Sequence, residues 1–201
     1  RVCDLTPGPA TRSAVEPGED PLPCLYSNFS IESFNYCRKQ AHCVRENIER
    51  FVRTVGVNNI GFLTLTFPDN LRDPKQAYER FRSFNNNFLG KSKLFGQWIC
   101  VKERQTRGAW HYHLLIDCMA DIKTGFNWVK FDSKDYSEVP PYLLQIWRVL
   151  REVLPRYSFG RHELTPVRKN AEAISCYMAK YLYKGFVNKL PEDKHIKLYT
   201  S

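Results

Sequence analysis

Apolar residues recur with a helical period at Ile31, Phe34, Ala41, Val44, Ile48, Phe51 and Val55, which predicts a long amphipathic helix with Ser30 as N-cap and Gly56 as its stop. The period then drops to two. In IGFLTLTF, residues 60–67, Phe62, Thr64 and Thr66 share one face and Leu63, Leu65 and Phe67 the other, so a strand is expected, ended by Pro68. Asp73-Pro74 predicts the start of a helix with the stripe Ala77, Phe81, Phe84 and Phe88, closed by Gly90. Residues 95–103 and 110–117 read as two strands joined by a basic turn at Arg107-Gly108, hence a hairpin. After a polar stretch, 120–139, Pro140-Pro141 opens a helix through Leu144, Trp147, Leu150 and Leu154, ended by Pro155. Residues 157–164 read as a further strand, and Asn170 caps a last helix that Gly185 closes. Strands interspersed with helices, at least two of them antiparallel neighbours, predict an α+β fold. Residues 1–29 hold Pro7, Pro9, Pro17, Pro21 and Pro23 and are expected to be an extended arm or linker, leaving 30–201 as the domain.

Two segments of this pattern carry chemistry. In residues 108–117, GAWHYHLLID, His111 and His113 are two apart on a predicted strand, so both imidazoles leave the same face. Gln97, Ile99, Val101 and Glu103 share a face of the preceding strand, and a hairpin folding about Arg107 sets Glu103 opposite His111, with His113 diagonal to it. Two imidazoles and a carboxylate form a three-ligand set with open positions, suited to Mg²⁺ or Mn²⁺ as well as zinc. His162 and Glu163, on the later strand, are reserve ligands. The second segment, YMAKYLYK at 177–184, repeats Tyr-x-x-Lys. With Tyr177 at zero, Tyr181 falls at about 40°, Lys184 at about 340° and Lys180 at about 300° around a helix. The apolar side, Met178, Ala179, Leu182 and Phe186, lies elsewhere, so the tyrosines are free to serve as nucleophiles with lysine assistance.

Charge sharpens this picture. The chain has a formal net charge of +9. The stretch 80–110 has seven basic residues (Arg80, Arg82, Lys91, Lys93, Lys102, Arg104, Arg107) against Glu103, and residues 151–201 have ten against five acids. Positive charge thus accompanies both motifs, as a nucleic-acid partner requires. No G-x-x-x-x-G-K-[ST] loop occurs, so ATP hydrolysis is not expected. The seven cysteines read as free thiols of a reducing compartment, with Cys100, Cys118 and Cys176 in segments read as buried. Cys37, His42 and Cys43 have a one-helix spacing rather than that of a structural zinc site. No run approaches a membrane span and no secretory signal is visible. The first residue, Arg1, suggests a piece of a longer chain.

Three motifs in order, FLTLTF (62–67), HYH (111–113) and YMAKYLYK (177–184), make the chain resemble the HUH endonucleases, most of all the two-tyrosine rolling-circle replication initiators of phages and related transposases. They span about 60% of the chain. The resemblance implies an antiparallel five-stranded sheet flanked by helices, with the His-x-His on a central strand. It implies a divalent ion on His111, His113 and Glu103, and nucleophiles Tyr177 and Tyr181 assisted by Lys184 or Lys180. The activity it implies is nicking and joining of single-stranded DNA at an origin or hairpin through a 5′-phosphotyrosine, in the cytoplasm of a bacterial host, with a helicase in trans or in a missing part of the chain. The rivals are a transposase nuclease domain, a non-catalytic single-strand-binding module stacking bases on Trp98, Trp110 or Tyr183, and a phosphodiesterase that uses metal-activated water.

Overall fold

The computed structural model describes residues 31–193 and 195–200. The expected arm, 1–29, lies outside the described residues. Tyr36–Ser201 forms one compact unit, which holds every strand of the sheet. Helix α1, Ile31–Val55, ends at Gly56, whose φ of 85° only glycine adopts readily. Its turn leads through Val57–Asn59 into strand β1, Ile60–Thr66. Then come α2 (Pro74–Phe84), the hairpin β2 (Trp98–Arg104) and β3 (Trp110–Asp117), α3 (Trp128–Asp132), α4 (Pro141–Val153), β4 (His162–Pro166), α5 (Ala171–Val187) and β5 (Tyr199–Thr200).

The strands form one antiparallel sheet in the order β4-β1-β3-β2-β5, so β3 with its two histidines is central. Register explains the site. Gly108, at φ 91°, donates its N–H to the Gln105 carbonyl, and Gln105 N–H donates to the Ala109 carbonyl; this turn pairs Arg104 with Trp110 and Glu103 with His111. One face of the sheet then carries Thr64, His111, His113, Val101 and Glu103 in neighbouring positions. The other carries Leu63, Leu65, Tyr112, Leu114, Cys100 and Lys102. On that second face α2 packs Phe81 edge-on against Tyr112 and Trp98.

Asp73 caps α2 through Lys75 N–H, and Asn170 caps α5 through Ala173 N–H, as their sequence positions predict. Several expectations are corrected. β2 begins at Trp98 rather than residue 95, because Gly96 lies so close to Asp117 that a Cβ would meet its carboxylate at 2.5 Å. The strand expected from residue 157 starts at His162: Pro155 and Tyr157 sit in a 3-10 turn, and Ser158 takes a left-handed φ of 57°. α4 buries Leu143, Ile146 and Leu150, while Leu144 is exposed, so the stripe is one residue out from the expected one. α3 lies inside a stretch read as irregular. Cys176 is exposed, unlike the buried Cys100 and Cys118, whose thiols burial pushes up to about 12. Gly185 does not close α5; the helix runs through it to Val187, capped at Asn188.

Gly185 has a different purpose. A Cβ there would meet the Lys102 carbonyl oxygen at 2.7 Å and Leu198 Cδ1 at 3.1 Å, so α5 lies as close to β2 as backbone allows. Two further ties hold that contact. Asn188 Nδ2 donates to the Arg104 carbonyl at 2.8 Å. Arg104 Nη2 donates to Asp193 Oδ1 at 2.6 Å, and Nε lies 2.6 Å from Oδ2 but off its N–H direction, in a pair sealed from solvent.

Candidate active site

The hairpin brings Glu103, His111 and His113 together so that one ligand atom from each lies within 4.8 Å of the others. His113 is 3% exposed. Its Nε2 lies 2.9 Å from Glu103 Oε2 and its Nδ1 3.3 Å from Thr64 Oγ1. A threonine hydroxyl can donate or accept. When Nε2–H donates to the carboxylate, Nδ1 accepts from Thr64; when the Nε2 lone pair serves a cation, Nδ1–H donates to Thr64, so the ring stays oriented in both tautomers. The other Glu103 oxygen, Oε1, is 3.8 Å from Lys184 Nζ.

Protonation follows from burial and neighbours. Burial, reinforced by the charges of His113 and Arg107 against that of Glu103, lowers the His111 pKa to about 4. Burial likewise lowers that of His113, although Glu103 opposes it. Burial raises Glu103, but the His113 hydrogen bond and the charges of His113, Lys184 and His111 outweigh it and leave the carboxyl below its ordinary value. Neutral imidazoles thus face a carboxylate. His111 Nε2 is buried with no hydrogen-bond partner, a costly state for a ring nitrogen. That lone, dry nitrogen beside an anionic oxygen and a second imidazole is a donor set that fits a divalent ion.

Helix α5 lays the tyrosines over this cluster. The Tyr181 ring stacks on His113 with centroids 3.7 Å apart and planes at 21°. Phe62 forms the floor, stacked on His113 and Tyr181 and edge-on to Tyr177 at 5.3 Å. The two phenol oxygens are 2.6 Å apart, in hydrogen-bond contact. Tyr177 is 45% exposed, whereas burial and the Tyr177 hydrogen bond raise the Tyr181 pKa above its ordinary value. The Lys184 ammonium sits 5.6 Å from the Tyr181 ring centroid.

Of the lead residues from the sequence, Glu103, His111, His113, Tyr177 and Tyr181 thus converge, and Lys184 joins them. Lys180 is exposed and touches none of them among the described residues. Of the reserve pair, His162 pairs with Leu65 on the opposite face, and Glu163 pairs with Thr64 on the site's face but at the exposed margin, outside the ligand cluster. Sequence reasoning missed Phe62 and the role of Thr64. Both stand in FLTLTF, and alternation had put them on one face; only the pairing of β1 with β3 turns that face toward the histidines. The stacking platforms of the binding-module rival are poor, because Trp110 and Tyr183 are buried and Trp98 is half-buried with its ring N–H donated to Asn85. A groove of about 660 Å³ lies elsewhere, between α1 and the start of β2, and includes none of these lead residues.

Among the described residues no helix is long and apolar enough to cross a membrane. The family model for replication-associated proteins of the ORF2 type matches residues 60–186, from β1 through the tyrosine helix. The chain is also 38% identical, over 193 aligned residues, to the Phasyl DNA replicon protein arp of Escherichia coli, an alignment that takes in 88% of this chain and 67% of that protein. No solved structure matches. These matches agree with the resemblance to two-tyrosine rolling-circle initiators carried by the three motifs, and the chain belongs to the ORF2-type family of replication-associated proteins.

Proposed function

We propose that this protein is a metal-dependent endonuclease and strand transferase that nicks and rejoins single-stranded DNA through a 5′-phosphotyrosine, as a rolling-circle replication initiator does. The observation that carries the reading is the contact of Tyr181 with His113: a phenol pair held directly over two imidazoles and a carboxylate. Glu103, His111 and His113 are the ion's ligands. A divalent ion, Mg²⁺ or Mn²⁺, held there would supply the positive charge that polarises the scissile phosphate. Thr64 holds the His113 ring in its ligating orientation, and Phe62 holds the tyrosine rings at the height of the cluster.

One tyrosine oxygen attacks phosphorus; the new bond joins the 5′-phosphate to the phenol oxygen, the bond to the 3′ oxygen breaks, and a 3′-OH is released carrying a proton in place of the phosphate. A phenol of raised pKa does not ionise unaided near neutrality. Its proton leaves as the bond forms, along the contact with the other phenol, and the Lys184 charge stabilises the developing anion. Because the phosphodiester energy is kept in the tyrosyl ester, the reverse step rejoins the strand without ATP. The second tyrosine can cut again while the first is occupied.

The test is incubation with labelled single-stranded oligonucleotides and Mn²⁺, followed by a denaturing gel. Covalent adducts are expected, lost with chelator and lost in the Tyr177→Phe/Tyr181→Phe double variant. Cleavage that survives the double change assigns the chemistry to activated water and overturns the tyrosine mechanism. In His111→Ala, nicking is expected to disappear while DNA binding persists, since phosphate affinity resides in lysine and arginine.

A further inference from the structure

The basic stretch 80–110 leads into the histidines, yet two of its cations are spent internally. Arg80 pairs with Asp69 at 2.7 Å and Arg104 with Asp193. Lys102 and Arg82 are not spent. Lys102 sits back to back with Glu103 on β2, so its side chain leaves the face opposite the tyrosines. It is only 6% exposed, and among the described residues it has no carboxylate or hydrogen-bond partner for its ammonium. Its Nζ is instead 5.6 Å from the ring centroid of Tyr78 and 5.8 Å from that of Tyr112. The Tyr78 ring is half exposed and has a second cation, the Arg82 guanidinium, 5.9 Å from its centroid. Lys197 is exposed and adjoins Leu198, whose carbonyl accepts the Lys102 N–H at 2.8 Å. Glu79, beside Tyr78, makes no ion pair with any of these among the described residues.

A nearly buried ammonium without an anion is an unusual expenditure, because desolvating a charge costs free energy that a counter-ion normally offsets. Aromatic faces offset part of it. We propose that Lys102, Arg82 and Tyr78 form a second DNA subsite on the back of the sheet, which takes a backbone phosphate on the two cations and a base on the Tyr78 ring. The subsite rests on the reading of the substrate as single-stranded DNA. It holds nucleotides remote from the cut, because the phenols and the ion ligands lie on the other face. Stacking on an exposed aromatic and a phosphate on paired cations are the two recurrent ingredients of sequence-tolerant single-strand binding.

The experiment is fluorescence anisotropy with two labelled oligonucleotides, one just spanning the cut and one extended on both sides, across a salt series. For the long oligonucleotide, Lys102→Met is expected to weaken binding about fivefold and to reduce the slope of log K against log salt by roughly 0.7. Tyr78→Ala is expected to weaken it about tenfold. The short oligonucleotide is expected to bind all forms alike, and adduct yield at saturating DNA to stay unchanged. Should Lys102→Met fail to fold by circular dichroism, Arg82→Gln and Tyr78→Ala, both at exposed positions, decide alone. Equal losses on both oligonucleotides, or none on either, overturn the proposal. Unchanged DNA affinity with lost binding of a polyglutamate peptide does so too, assigning the patch to an acidic protein. If the unaltered protein forms no adduct yet the long-oligonucleotide losses appear, the nicking reading fails and this one stands.

Discussion

Replacing Gly185 with alanine puts a methyl group where α5 and β2 touch. The new carbon would lie 2.7 Å from the Lys102 carbonyl oxygen, which is strand backbone and cannot rotate away, and 3.1 Å from a Leu198 methyl, which can. Carbon and oxygen in van der Waals contact sit roughly 3.3 Å apart, so the helix must lift by about half an ångström. Overpacking of this kind costs about 1–3 kcal/mol, offset by the roughly 1 kcal/mol that alanine gains over glycine in a helix, so net destabilisation is expected to be modest, ~0–2 kcal/mol. The effect on chemistry is larger. Tyr181, one turn before Gly185, is stacked at 3.7 Å on His113, and lifting the helix opens that contact. Misplacing reacting groups by about an ångström can cost 10²-fold, so adduct formation is expected to slow roughly tenfold or more. Urea unfolding gives the stability change, and single-turnover adduct formation with saturating oligonucleotide and Mn²⁺ gives the rate. A variant that nicks at the unaltered rate would refute the inference that close helix–strand contact sets the tyrosines over the histidines.

Thr64→Val keeps shape and strand preference but removes the oxygen beside His113 Nδ1; Mn²⁺ affinity by calorimetry is expected to fall about 10–100-fold, with Thr64→Ser restoring most of it. Asp193→Asn leaves the Arg104 guanidinium buried without its counter-charge, which is expected to cost about 3 kcal/mol or more and to lower Tm by roughly 6–12 °C. A loss below about 1 kcal/mol in urea would show that the pair does not tie the helix end to the strand. Acid should weaken the metal-free fold at the site: with His111 at about 4 when folded and near 6.5 when unfolded, the unfolded chain binds the extra proton between those values. Stability therefore falls as pH drops from about 6.5 to about 4 and the contribution is fully lost below that. The Tm-against-pH curve of His111→Ala, measured with chelator present, is expected to be flatter in that window, and identical curves would refute it.

Much of the site is legible in the order of residues alone. The turn at Gly108 with the strand period puts Glu103 opposite His111, because a hairpin's register follows from its turn; the i, i+4 spacing puts both tyrosines on one side of a helix. Periodicity tells which side chains leave an element together. What covers them is another matter: it depends on contacts between elements distant in the chain. So the sequence does not by itself show that the Phe62 and Thr64 face is the one turned to the histidines, or that Lys184 reaches Glu103 while Lys180 does not. Nor does it reveal that Gly185, in the pattern a helix stop, is the point where α5 comes down onto β2. Those facts belong to the packing of β1 on β3 and of α5 on the sheet. There, steric fit between residues far apart in the chain chooses among faces that local propensity leaves equivalent.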